Sequence, residues 1–192
     1  METKSPPMPA ASTATVTAPP EDPQHDLETA FPALILRKLP GFLVPEPYRS
    51  LLVHDQDMTS TLERFHGEAL FLELLSSDSG PRLLRRNVLL VGEASGRPRE
   101  LGSITIHLHR FSLPPTEEIL AGRKPLGAIL GDHHIPYTSR PEDFLELEST
   151  PEMLAALRRP GEGEVLYGRR NRLSTPEGDL LADVLEILPP LD

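Results

Sequence analysis

The chain contains no cysteine and no tryptophan. Without a thiol there is no disulfide framework, no thiolate zinc or iron–sulfur site and no cysteine nucleophile. No apolar run approaches the ~20 residues that cross a bilayer. No basic start followed by an apolar core marks a secretory leader. The expectation is therefore a cytoplasmic protein with no membrane insertion. The strand–turn–helix serine elbow G-x-S-x-G, the dinucleotide and P-loop glycine patterns and the H-E-x-x-H zinc motif are all missing. Basic charge is scarce as well. Nineteen Lys and Arg against 29 Asp and Glu leave a formal net charge of −10, which speaks against a nucleic-acid binder and, on its face, against an anionic ligand.

Proline, by contrast, is plentiful, with 22 residues. Pro6, Pro7, Pro9, Pro19, Pro20 and Pro23 stud the Pro/Ala/Thr-rich stretch from Met1 to Glu28, whose apolar residues show no period. This predicts a solvated leader over residues 1–28, with no helix-turn-helix in it, followed by one folded domain over 29–192.

Within that domain the periods change along the chain. Helices are predicted from Tyr48 to Asp55 and from Asp57 or Ser60 to Gly67, where Ser60 and Glu63 fit a capping box. Ala69–Leu75, Leu83–Val91 and Ser103–Phe111 read as strands separated by Gly/Pro turns, and the last alternates Ile104, Ile106, Leu108 against Thr105, His107, His109. Pro114 or Pro115 opens a helix that Gly122 closes. A short helix follows Lys124–Gly127, and Phe144–Glu148 alternates as a strand. Thr150 and Pro151 begin another helix. Val165–Leu173 and Leu180–Leu188 flank a turn at Thr175–Asp179 as a closing hairpin. Strands followed by helices, without β-α-β alternation, give an α+β class with one mainly antiparallel sheet.

Two features of the strands bear on chemistry. His107 and His109 share a predicted face, but no third ligand at a metal-binding spacing accompanies them, so no metal is expected. Arginines enter apolar strands: Arg82, Arg85 and Arg86 in one, Arg169, Arg170 and Arg172 in another. An arginine facing a core must meet an anion or lose stability, and its planar fork suits a carboxylate. Alternatively, these arginines decorate a solvated sheet face. Glu186 is a lone acid in the apolar run Val184–Leu188.

Five stretches, in order, resemble the chorismate pyruvate-lyase family. Leu51–Thr59 with Leu62–Phe65 is similar to its first helix pair. Leu84–Leu90 is similar to its R-x-[IV]-x-L strand, Lys124–Gly127 to its P-L-G loop, Gly168–Leu173 to its G-R-R-x-R-L strand, and Leu180–Pro189 to its closing strand. The resemblance implies a six-stranded antiparallel sheet with helices enclosing a ligand cavity. It also implies an enzyme, a cofactor-independent lyase that eliminates pyruvate from chorismate to leave 4-hydroxybenzoate, usually for quinone synthesis.

Carried over position by position, the resemblance assigns Arg86 and Glu186 as catalytic residues. Arg86 would hold the ring carboxylate and Glu186 the 4-hydroxyl. Met58 and Leu126 would bind substrate beside them. The family's T-E pair is Leu185-Glu186 here and the preceding hairpin is longer, so Val184 could take the acid's place by register, and Asp183 is a second candidate for the acid. Asp57 places a further anion near the cavity. A non-catalytic or sensor-type domain of the same fold, binding a small aromatic carboxylate, is the alternative. Small molecules, rather than nucleic acid, are the expected partners in either case, and the sequence does not set the oligomeric state.

Overall fold

The computed structural model describes residues 35–159, 161 and 163–191; the predicted leader lies outside the described residues. Seven strands form one antiparallel sheet: β1 (Ile35–Leu39), β2 (Leu70–Ser79), β3 (Leu83–Gly92), β4 (Pro98–His107), β5 (Thr138–Glu148), β6 (Val165–Ser174) and β7 (Leu180–Leu188). Their order across the sheet is β1-β5-β6-β7-β4-β3-β2. Five helices accompany them: α1 (Tyr48–Leu52), α2 (Met58–His66), α3 (Leu113–Ala121), α4 (Leu126–Asp132) and α5 (Pro151–Ala156). This is the α+β architecture expected from the periods, with one strand more than the six the resemblance implied. The extra strand is β1, paired with β5 from Ile35–Glu148 to Leu39–Phe144.

Local chemistry explains most boundaries. Asp57, rather than Ser60, caps α2: its Oδ2 accepts the Ser60 amide at 2.8 Å. Glu63 of the expected capping box instead accepts the amide of Leu70 at 3.1 Å, tying α2 to the start of β2. Gly67 ends α2 in the left-handed region at φ 67°, a conformation without penalty for glycine. Thr150 caps α5 through the Met153 amide, with Pro151 at the first turn. β4 stops at His107 and a 3-10 turn over Leu108–Arg110 follows, so His109 lies off the strand. Among the described residues no group of three or more His, Asp or Glu side chains could hold a metal ion.

The sheet has two unlike faces. On one, α1 and α2 pack Leu51, Leu52, Met58 and Leu62 against Leu72, Val88, Leu90 and Leu188. On the same face α3 and α4 pack Ile119, Leu126, Ile129 and Leu130 against Leu84, Ile104, Ile106, Leu173 and Val184. The opposite face carries Leu89, Val91, Leu101, Leu145, Leu147, Leu185 and Ile187, covered in part by Met153 of α5 and by Leu157. Burying each such leucine contributes about 1.5–3 kcal/mol. The two helix-covered clusters do not merge. Polar residues separate them, and a cavity opens there.

Candidate functional site

The cavity lies between the sheet and the helices α2 and α4, with about 640 Å³ of space counted out to its open mouth. Its walls are apolar, including Leu72, Val88, Leu90, Ile104, Leu173 and Val184. Strand register places its polar groups in rows. Arg86 of β3 pairs with Ile104 of β4, Val88 with Gly102 and Leu90 with Glu100. Across the next ladder Ile104 pairs with Val184 and Gly102 with Glu186. Residues two apart share a face, so Arg86, Glu100, Val184 and Glu186 all face this one cavity.

Met58, Arg86, Leu126 and Glu186, the four residues the sequence singles out, all line it. Val184, the register alternative for the acid, also faces it, because it sits two residues from Glu186. Asp183 faces the other way. Its carboxylate takes two hydrogen bonds from Arg170, at 2.9 and 2.8 Å, and lies 3.6 Å from Arg172. The arginines of the strands divide by the same alternation: Arg86 and Arg169 are buried on the cavity face, whereas Arg85, Arg170 and Arg172 belong to the opposite one.

The two cavity-face arginines are in opposite circumstances. Arg169 is fully buried and fully engaged. Its Nε donates to Glu186, Nη1 donates to the carbonyls of Leu52 at 3.2 Å and His54 at 2.8 Å, and Nη2 to that of Gln56 at 3.3 Å. It thereby pins the α1–α2 connection to the sheet. His54 in that connection is held neutral by burial and by the Arg169 charge, which lower its pKa. Its Nε2 donates to the Leu51 carbonyl at 2.7 Å, and Nδ1 accepts the Gln56 amide at 3.1 Å.

Arg86 is only 3% exposed, yet it makes one long hydrogen bond, from Nη1 to the Ile119 carbonyl at 3.4 Å. Its Nε has no partner, and burial lowers its pKa from the ordinary arginine range to about 10. A desolvated guanidinium without a carboxylate is an anion receptor.

Glu100 is the residue that the sequence reading missed. It is 5% exposed, its Oε2 is buried without a hydrogen-bond partner, and it lines the cavity. Burial raises its pKa well above the ordinary carboxylate value, and the charges of Glu186 and Asp57 push the same way against Arg169. Its side chain lies over Gly102: a Cβ built there would sit 3.2 Å from Glu100 Oε1 and 3.1 Å from Val88. Extending the alternation of Ile106 and Ile104 backward through Gly102 would have placed Glu100 on this face. Asp57 caps α2 and packs against Gly127, where an added Cβ would lie 2.4 Å from its Oδ1. Its charge therefore stands at the cavity wall beside the P-L-G segment.

No protein-family model matches the chain, and no curated protein matches it in sequence. Solved structures do match the fold. PhnF from Mycobacterium smegmatis superposes with a TM-score of 0.55 at 12% identity, over 71% of this chain and 64% of PhnF; the chain thus spans under two thirds of that protein. The effector domain of PhnF alone gives 0.51 at 11% identity, over 69% of this chain and 87% of the domain. A gene product of Staphylococcus aureus gives 0.52 at 8% identity, over 72% of this chain and 90% of that one.

One of these neighbours is an effector domain, and none of the three is described as a lyase. That overturns the expectation of a pyruvate-eliminating enzyme, and with it the chorismate, 4-hydroxybenzoate and quinone-synthesis setting. The physical reason lies in what the shared motifs do here. Most of the G-R-R-x-R-L pattern serves the sheet: Arg169 binds Glu186 and loop carbonyls, and Arg170 binds Asp183. The glutamate meant to hold a substrate hydroxyl is already bound to a buried guanidinium. The motifs report a fold and its internal ion pairs. Among the described residues no helix is long and apolar enough to cross a membrane.

Proposed function

We propose that this chain is a non-catalytic, effector-type domain that binds a small carboxylate, with an aromatic ring as the best fit to the cavity. The observation that carries the reading is Arg86: a buried guanidinium that faces an apolar-walled cavity and has a single weak partner. An unpaired buried charge costs several kcal/mol, so its retention points to an anion that completes it. Arg86 takes the carboxylate, Met58 and Leu126 close over the ring, and the Glu186–Arg169 pair forms a fixed polar floor.

A melting-temperature screen tests this. Benzoate, 4-methylbenzoate and 4-hydroxybenzoate are compared with the corresponding uncharged benzamides. The acids are expected to raise the melting temperature by mass action, about 2.7 kcal/mol at a hundred times Kd, and the amides are not. Arg86→Met is expected to abolish the rise while remaining folded. Equal shifts with acids and amides, or shifts that survive Arg86→Met, would overturn the reading. The same samples incubated with chorismate are expected to release no pyruvate above the spontaneous rate.

A further inference from the structure

The cavity is polarised. Along the sheet Arg86 lies toward one end, in the row of Ile104, and Glu100 toward the other, where the charges of Glu186 and Asp57 bear on it. Arg169 is the cation nearest to those acids, and it is spent on Glu186 and three carbonyls. What remains at that end is Glu100, buried, aimed over the side-chain-free floor at Gly102, and with an oxygen lacking any partner. Arg86 pairs with Ile104 and Glu100 lies four residues earlier on β4. Their backbones are therefore about 14 Å apart at about 3.4 Å per residue. Glu100 reaches over Gly102 from its position, and the cavity wall between the two residues runs along Val88 and Gly102.

Resting on the anion-receptor reading of Arg86, we infer that the domain selects a small zwitterion, with its carboxylate on Arg86 and an ammonium group on Glu100. A hydroxyl would satisfy one Glu100 oxygen, but only a cation also answers the negative potential that Glu186 and Asp57 set up there. Desolvation and the charges of Glu186 on β7 and Asp57 before α2 favour the neutral form of Glu100, against Arg169 on β6. Arrival of the ammonium ionises it, and the displaced proton passes to bulk buffer. Arg86, Glu100 and Glu186 then each have a counter-charge. Glu100 acts as a specificity-determining residue, with the affinity for the anionic head left to Arg86.

Titration calorimetry with matched probes tests the inference. 4-(Aminomethyl)benzoate carries both heads, 4-methylbenzoate only the anion and benzylamine only the cation. The wild-type protein is expected to bind 4-(aminomethyl)benzoate at least tenfold more tightly than 4-methylbenzoate, and benzylamine weakest. Binding of the zwitterion at pH 7, measured in two buffers of different ionisation enthalpy, is expected to release protons. Glu100→Gln, checked for folding by circular dichroism, is expected to bind both benzoates equally and to release none. Equal binding of the two benzoates by the wild type, or an unchanged preference and proton release in Glu100→Gln, would overturn this inference and leave the Arg86 reading standing. Failure of every benzoate to bind the wild type, or binding that Arg86→Met does not weaken, would overturn both.

Discussion

Replacing Arg86 by methionine is expected to make the ligand-free protein more stable. Burial lowers this guanidinium from the ordinary arginine range to about 10, which corresponds to roughly 3 kcal/mol at about 1.4 kcal/mol per tenfold. Because folding lowers the pKa, the charge opposes folding at every pH below about 10. The penalty is relieved only as pH climbs above that value, so neutral pH carries all of it. Methionine keeps an apolar stem of similar length and gives up the 3.4 Å hydrogen bond to the Ile119 carbonyl, worth at most about 1 kcal/mol. The net expectation is a gain of about 1–2 kcal/mol in urea unfolding, or roughly 2–8 °C in Tm for a domain of this size, together with loss of carboxylate binding. Stability gained at the cost of binding is the signature of a residue held for function. A variant less stable than wild type by 2 kcal/mol or more would refute the reasoning, because it would show that Arg86 is a satisfied structural cation.

The other buried arginine should behave in the opposite way. Glu186→Ala leaves Arg169 without its carboxylate and is expected to destabilise the fold by about 3–5 kcal/mol in urea; a loss under 1 kcal/mol would show the pair to be dispensable. Glu100→Gln should alter the pH dependence of stability. The folded-state pKa of Glu100 lies above its unfolded value, so its contribution is nil below the unfolded pKa and increasingly unfavourable as pH rises above it. The variant is therefore expected to match wild type near pH 4 and to exceed it at pH 7, and a pH-independent difference would contradict this. Gly102→Val should fill the cavity floor, since even a Cβ there meets Val88 at 3.1 Å and Glu100 at 3.2 Å. It is expected to lose ligand-induced melting shifts and to cost about 1–3 kcal/mol from overpacking, both read in one thermal melt with and without 4-methylbenzoate.

Most of the sheet was legible because its strands bury one or both faces in a period of two. β3, β7 and the second half of β4 were recognisable from their leucine, isoleucine and valine between glycine and proline turns, and β6 as one arm of the closing hairpin. β1 was not, since the segment Ile35–Leu39 is half-exposed to exposed throughout and its pairing with β5 is set by a partner more than a hundred residues away. The first half of β5 was missed for a related reason: Thr138–Asp143 is polar, contains Pro141 and is bulged against β6. In the site, Arg86 stood out as a charge in an apolar alternation. Glu100 did not, because Arg97, Pro98 and Arg99 before it read as a continuation of the turn. Nor could any local pattern reveal that Arg169 is consumed by carbonyls of residues 52–56. The lyase expectation failed at that point, since a motif records which residues stand together but not whether their charges are already spent.

The strand order has a mechanical consequence. β2-β3-β4 and β5-β6-β7 are two separate meanders, and in the sheet they meet along a single ladder between Leu101–Ile106 of β4 and Ala182–Ile187 of β7. Arg86 and Glu100 belong to one meander, Asn171 and Glu186 to the other, and the cavity floor straddles the seam. A molecule lodged there works as a rivet. Its two heads would be held by Arg86 and Glu100 of the first meander and its body would rest on Asn171, Val184 and Glu186 of the second, so part of its binding energy would be felt as resistance to parting along one line. Amide exchange should slow first along β4 and β7, and the hairpin tips should exchange as before. A sheet seamed in this way would convert occupancy into stiffness across its middle.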